Sequence, residues 1–157
     1  MRASPRDVAI ALGALLAAGA LLIHRAGSHA RAFPASATRT PGVLNPDVTQ
    51  TNIHSTICVR GWTRTVRPPV EYTNELKVKQ MHDYGEAGPP SHYQEDHLIS
   101  LELGGDPRDP RNLWPEPYPR AGQMDQIENQ LNAKVCSGAM SLADAQRKES
   151  SIKHTVG

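Results

Sequence analysis

The chain has 157 residues and a formal net charge of +1 at pH 7, and its length fits one modest hydrophobic core. Its first 30 residues hold three arginines and one aspartate, so the rest of the chain carries a formal charge of −1. This balance excludes tight binding to nucleic acid through overall positive charge, and any attraction for phosphate has to be local or carried by a metal ion.

Residues 1–30 are typical of an export signal. Arg2 and Arg6 precede the uncharged stretch 8–23, and the small residues at 28–30 and again at 35–37 fit a cleavage site. The stretch is shorter than the roughly 20 residues that a membrane span needs. The alternative is an uncleaved signal anchor, since His24 and Arg25 close the stretch, and residues 8–23 would then be the only membrane contact. Either interpretation predicts a secreted or periplasmic domain.

The remaining chain divides by composition. Residues 31–46 are rich in Ala, Ser, Thr and Pro and predict a flexible linker. Residues 47–147 carry the apolar periodicity of one domain, and residues 148–157 are interpreted as a polar tail that frays.

The domain begins with a predicted β-hairpin. Its strands are residues 56–60 and 63–66, which are rich in β-branched side chains and are separated by Gly61-Trp62. Pro68-Pro69 stops the second strand. A helix then starts at Thr73 or Asn74 and runs to about residue 84, with Gly85 after its end.

Two short strands and two helices follow. The strands are residues 96–103 and 112–114, and the loop between them contains Gly104-Gly105. Apolar residues at helical spacing predict a helix over residues 123–135, and Ser141 caps a last helix that runs to about residue 147.

Only two cysteines occur, Cys58 and Cys136, and they form no Cys-x-x-Cys pair. An even number in an exported chain favours a disulfide, which would close a loop of about 79 residues and stabilise the fold by about 3–5 kcal/mol. The alternative is two separate buried thiols.

One ordered set of residues carries the functional prediction. Asp96-His97 is followed by Gly104-Gly105, then by Asn112-Leu113 fifteen residues after His97, and then by a helix bearing Asp125, Glu128 and Asn129. This order resembles the HNH, or His-Me finger, endonuclease family. The chain is also similar to an exported, uncharacterised bacterial group that shares residues 57–59, 61–63, 67–69 and 112–117. The Cys-x-x-Cys pairs with which many HNH domains bind structural zinc are absent.

The resemblance implies a role for each residue. His97 would act as general base on water, Asp96 would bind a metal ion, and Asn112 would orient the loop and His97. The helix would supply the last ligand, with Glu128 the first choice and Asn129 and Asp125 as alternatives. Oxygen ligands of this kind favour one divalent ion, Mg²⁺ or Mn²⁺.

Arginines are the candidates for binding substrate phosphate. Arg108, Arg111 and Arg120 lie in or near the predicted loop and would form a local clamp. Arg60, Arg64 and Arg67 on the predicted hairpin are a second possibility.

The sequence therefore predicts an α+β fold: a small ββα-metal core with an added N-terminal β-hairpin and helix. The predicted function is a metal-dependent endonuclease that cleaves DNA or RNA outside the cytoplasm without sequence specificity, because no element for reading bases is evident. The alternative is a catalytically silent envelope module that uses the same scaffold for binding, since a fold does not fix a function.

Overall fold

Two antiparallel strands form the only sheet in residues 34–155, the part of the chain that the computed structural model describes. They are β1 (Tyr93–His97) and β2 (Leu113–Pro117). Four helices accompany them: α1 (Trp62–Val66), α2 (Val70–Tyr84), α3 (Arg120–Cys136) and α4 (Leu142–Thr155). This mixture of helix and strand confirms the α+β class. The predicted export signal and its first candidate cleavage site, residues 28–30, lie outside the described residues.

The register of the sheet puts Asp96 opposite Trp114 and His97 opposite Leu113. The first strand ends earlier than the sequence predicts, because Leu101–Leu103 forms a 3-10 turn that buries both leucines. The apolar alternation in this segment imitates a strand, but Gly104 adopts a left-handed φ of 75° and turns the chain back. A long loop therefore connects β1 and β2.

The prediction of an N-terminal β-hairpin is wrong. Residues 56–61 form successive turns, in which the Cys58 amide donates to the Ile53 carbonyl at 2.9 Å, and α1 follows directly. Gly61 precedes α1 with a left-handed φ of 84°. Ile57 packs into the core, so tertiary contacts override the weak strand preference of the β-branched residues.

The helices are longer than predicted. Helix α2 starts at Val70 and ends, as predicted, just before Gly85, which has a left-handed φ of 71°. Helix α3 starts at Arg120, three residues before the predicted position.

Both predicted flexible ends differ in the structure. Residues 148–155 continue α4, in which Glu149 and Lys153 are fully buried. Residues 34–46, expected to be a linker, pack against the domain: Thr40 is buried, and the Ala35 amide donates to the Lys153 carbonyl at 2.9 Å. In residues 148–155, the buried side of α4 carries the charged Glu149 and Lys153 instead of apolar groups, so the composition of this stretch resembles that of a solvated tail.

The main core lies where α3 and α4 meet the loop after β1. Its buried members are apolar side chains from all of these elements and from the N-terminal turns: Val48, Ile53, Ile57, Ile99, Leu103, Leu131, Val135, Leu142 and Ala145. The predicted disulfide between Cys58 and Cys136 is confirmed, and Cys58 packs against this core. Within residues 34–155, no helix combines the length and apolar character that a membrane crossing needs.

We expect the double substitution Cys58→Ser, Cys136→Ser to lower the free energy of unfolding by about 3–5 kcal/mol, because the bridge spans 78 residues of sequence. Urea denaturation followed by circular dichroism measures the change. A reductant should destabilise the unsubstituted protein to a similar extent and leave the double variant unaffected. Equal stability of the two proteins under oxidising conditions would contradict the prediction.

Candidate functional site

His97 ends β1 in an oriented and largely buried position. Its side chain is 5% exposed, and its Nε2 lies 3.2 Å from the carbonyl oxygen of Pro107. A carbonyl oxygen only accepts hydrogen bonds, so Nε2 carries the proton and Nδ1 keeps a free lone pair. Burial lowers the pKa of His97 despite the opposing effect of Asp96. His97 is therefore neutral at neutral pH, the state that a general base requires.

Asn112 holds the loop between the strands. Its side chain is fully buried, accepts from the Ile99 amide at 3.0 Å, and donates to the carbonyls of Ile99 at 3.0 Å and Asp106 at 2.9 Å. A Cβ added to Gly105 would lie 1.8 Å from the Ile99 carbonyl oxygen, so only glycine allows this approach. Asn112 thus fixes the loop that carries Pro107, the partner of His97.

Asp96 and Glu128 converge on a buried lysine of α4. The Nζ atom of Lys153 lies 2.8 Å from Asp96 Oδ2 and 2.7 Å from Glu128 Oε1. It also donates to the backbone carbonyl of His97. The strand carboxylate and the helix carboxylate that the sequence predicts as metal ligands are therefore brought together, but an ammonium group lies between them.

Two further buried carboxyl groups surround the same lysine. Glu149 Oε1 is 3.6 Å from Lys153 Nζ, and the Glu149 carboxylate accepts from the Ser100 amide at 3.0 and 3.1 Å. Glu116 is fully buried on β2, and its oxygens have no hydrogen-bond partner among the described residues. The ammonium therefore faces more carboxyl groups than one positive charge neutralises.

The pKa values reflect this imbalance. Burial raises the pKa of Asp96, but the charge of Lys153, the neighbouring Glu116 carboxyl group and the hydrogen bond from Lys153 together outweigh burial, and the pKa falls to about 2. Burial raises the pKa of Glu128 to about 8 and, together with the charge of Asp96, that of Glu116 to about 9. Burial would lower the pKa of Lys153, but its carboxylate neighbours raise it well above its usual value. The lysine is thus charged, and Asp96 is its ionised partner.

A divalent ion shared by Asp96 and Glu128 does not fit this arrangement, because the ammonium already binds one oxygen of each. In the described part of the chain, no group of three or more His, Cys, Asp or Glu side chains is placed to hold a metal ion. The expectation of Mg²⁺ or Mn²⁺ stays a prediction, and Lys153 is the cation that the two carboxyl groups contact.

A polar pocket of about 230 Å³ opens next to this cluster. It is lined by predicted site residues together with residues that the motif does not include: Arg67, Gln94, Asp96, His97, Ser100, Leu101, Glu102, Asp125, Glu128 and Asn129. Asn112 is not among them and acts on the loop behind the pocket. Asp125 and Asn129 lie at the pocket without contacting Lys153, so Glu128 is the one predicted helix residue that meets Asp96 at the cation.

The predicted arginine clamp does not line this pocket. Arg108 is exposed, Arg111 pairs with Asp109 at 2.6 Å and lines a different pocket, and Arg120 lies 3.7 Å from Glu116. Arg67, which the sequence suggested only as a secondary candidate, lines the pocket instead. Its position follows from the turns and short helix that replace the predicted hairpin.

The sequence prediction missed Lys153, Glu149 and Glu116. The Glu149 and Lys153 spacing of four residues, which places them on one helix face, is a signal that was present in the polar tail. Nothing in the sequence indicates that this face is buried, because a solvated helix has the same pattern.

Comparisons with protein-family models, with curated proteins and with solved structures find no match to this chain.

We expect Asn112→Ala to lower the free energy of unfolding by about 2–3 kcal/mol, because it leaves the buried amide of Ile99 without its side-chain acceptor. Asn129→Ala is the matched control: this exposed asparagine makes one side-chain bond, to the Asp125 carbonyl, and its loss should change stability by no more than about 0.5 kcal/mol. Urea denaturation of both variants measures the difference. Similar losses for the two would show that Asn112 does not hold the loop.

Proposed function

We propose that this protein is a phosphodiester hydrolase that cleaves nucleic acid outside the cytoplasm, with His97 as general base. One observation carries the proposal: His97 lines a polar pocket while its Nε2 is fixed on the Pro107 carbonyl, so that Nδ1 is the basic nitrogen. A histidine oriented through one nitrogen and basic at the other has the arrangement that proton abstraction from water requires.

The surrounding contacts support this role. Asn112 fixes the loop that supplies the Pro107 carbonyl, which keeps the imidazole in one tautomer and one orientation. In the proposed reaction, a water molecule in the pocket gives a proton to Nδ1 of His97 and attacks phosphorus. The bond from phosphorus to one sugar oxygen breaks, and that leaving oxygen takes a proton from solvent. Holding the base and the attacked group in one place lowers the entropic part of the barrier.

Arg67 is the proposed contact for the substrate phosphate. It is exposed at the pocket, and a guanidinium group matches the geometry of two phosphate oxygens. Charge develops on these oxygens during attack, so a cation at this position favours the transition state. We assign no step to a divalent ion.

The scaffold is compatible with the resemblance noted in the sequence. The order β1, β2, α3, with the base at the end of β1 and Glu128 of α3 meeting Asp96 of β1 at Lys153, supports a ββα core of the His-Me finger type. The Cys58–Cys136 disulfide is compatible with an oxidising environment outside the cytoplasm.

A catalytically silent binding module is the second candidate. The observation that favours it is the Lys153 ammonium, which occupies both carboxyl groups that the resemblance assigns to the metal. On this alternative, the pocket binds a ligand without cleaving it.

The first experiment compares His97→Ala with His92→Ala, which changes an exposed histidine outside the pocket. Plasmid DNA, single-stranded DNA and RNA are each incubated with the purified protein, and products are resolved on gels. We expect His97→Ala to lower the cleavage rate by about 100-fold or more, the range that general-base catalysis supplies, and His92→Ala to leave it unchanged.

Each other outcome identifies an alternative. No cleavage of any substrate by the unsubstituted protein would favour the silent module. Equal rates for the unsubstituted protein and His97→Ala would remove His97 as the base. Circular dichroism of both variants confirms that lost activity does not result from unfolding.

We expect Arg67→Ala to raise the KM for nucleic acid by about tenfold, because it removes the cation at the pocket. Arg111→Ala is the matched control, since Arg111 is bound to Asp109 and lines another pocket. Initial rates at several salt concentrations measure the effect, which should diminish as salt rises. A larger effect of Arg111→Ala would instead support the clamp that the sequence predicts.

A further inference from the structure

The ammonium of Lys153 has no donor left for a substrate. A protonated lysine has three N–H groups, and Lys153 directs them to Asp96 Oδ2, Glu128 Oε1 and the His97 carbonyl. Its side chain is fully buried. Lys153 therefore acts on the site through Asp96, His97 and Glu128, as a positioning residue.

Several contacts fix α4 in the position that delivers this lysine. The Ala35 amide donates to the Lys153 carbonyl at 2.9 Å, and His154 Nε2 donates to the Thr40 carbonyl at 2.9 Å. Gln146 donates to the Leu103 carbonyl at 2.9 Å, one turn before Glu149 meets Ser100. The lysine is thus held by the N-terminal segment and by the loop after β1, and it does not belong to a frayed tail.

A divalent ion and this ammonium exclude each other from the same two carboxyl groups. Either cation needs the oxygens of Asp96 and Glu128 that lie 2.8 and 2.7 Å from Lys153 Nζ. The two cations would also repel each other at close range in a buried setting. Withdrawal of the lysine would require α4 to give up the contacts that hold it.

We infer that Lys153 is the resident cation of this site: its ammonium, rather than a divalent ion, holds Asp96 and Glu128 together in the native protein. The part of this inference that concerns cleavage rests on the proposed function. It implies that hydrolysis by this chain does not depend on divalent metal. The part that concerns cation binding by Asp96 and Glu128 holds whether or not the protein cleaves nucleic acid.

Metal binding tests the inference directly. The full chain is titrated with Mn²⁺, and free Mn²⁺ is followed by electron paramagnetic resonance. The unsubstituted protein should show no saturable Mn²⁺ binding that Glu128→Gln removes. Lys153→Ala deletes the ammonium and leaves room among Asp96, Glu128 and Glu149, so it should acquire one Mn²⁺ site. Addition of Glu128→Gln to this variant should weaken that site by about tenfold or more.

Thermal unfolding gives a second readout. At a Mn²⁺ concentration about 100-fold above the dissociation constant, the Tm of Lys153→Ala should rise by roughly 10 °C, and the Tm of the unsubstituted protein should not move. Lys148→Ala is the matched control, because Lys148 is an exposed lysine of the same helix, and it should behave like the unsubstituted protein.

The unsubstituted protein decides the matter even if Lys153→Ala does not fold. Saturable Mn²⁺ binding to it that Glu128→Gln abolishes would overturn the inference. A folded Lys153→Ala protein without a Mn²⁺ site would also overturn it, since the carboxyl groups would then not form a cation position.

Cleavage assays separate this inference from the proposed function. Rates in EDTA should equal those in Mg²⁺ within about twofold, whereas abolition of cleavage by EDTA would overturn the inference alone. Absence of cleavage under all conditions would remove the proposed function and leave the Mn²⁺ result to stand by itself.

Discussion

The buried ammonium of Lys153 is the interaction on which the arrangement of the site depends. It joins β1 through Asp96 and the His97 carbonyl to α3 through Glu128, and it does so from α4. Elsewhere α3 and α4 meet in the main apolar core, whereas here the three elements are joined through polar groups. A charge removed from water is tolerated only when its donors are satisfied, and here all three are. This requirement, together with the core contacts of Leu142 and Ala145, fixes the position of α4.

The loop between the strands is fixed by a second, separate set of contacts. Asn112 binds both polar groups of the Ile99 backbone, and Gly105 allows the close approach that Asn112 needs. This network places the Pro107 carbonyl against His97. The lysine cluster, which consists of Lys153 and the carboxyl groups around it, fixes the strand end that carries His97. The imidazole is thus positioned from two sides, and neither side uses a long apolar side chain. The precision of the pocket comes from hydrogen bonds that leave few alternative geometries.

Some elements of the fold and of the site could be predicted from the sequence, and others could not, because they differ in the sequence pattern that marks them. The apolar period was sufficient for α3, and the two strands were predicted in the right order but with shifted bounds, as residues 96–103 and 112–114 instead of Tyr93–His97 and Leu113–Pro117. The meeting of Asp96 with Glu128 was expected from the family resemblance. The hairpin prediction failed because β-branched residues between 56 and 66 follow core contacts and turns instead of their own preference. The end of α4 could not be predicted, since charge pairing buries Glu149 and Lys153 without any apolar pattern. Arg67 was underestimated because its location depends on the turns that replace the hairpin.

The composition of the lysine cluster argues that it serves the site more than the stability of the fold. Replacement of buried charge networks by well-packed apolar groups is often neutral or stabilising, since desolvation offsets most of the attraction. Glu116 and Glu149 add buried carboxyl groups whose pKa values are raised to about 9 and about 7, first of all by burial, so each costs free energy at its position. An arrangement made only for stability would not need them. Their presence around Lys153 therefore fits the positioning role that we infer for this lysine better than a role in stability.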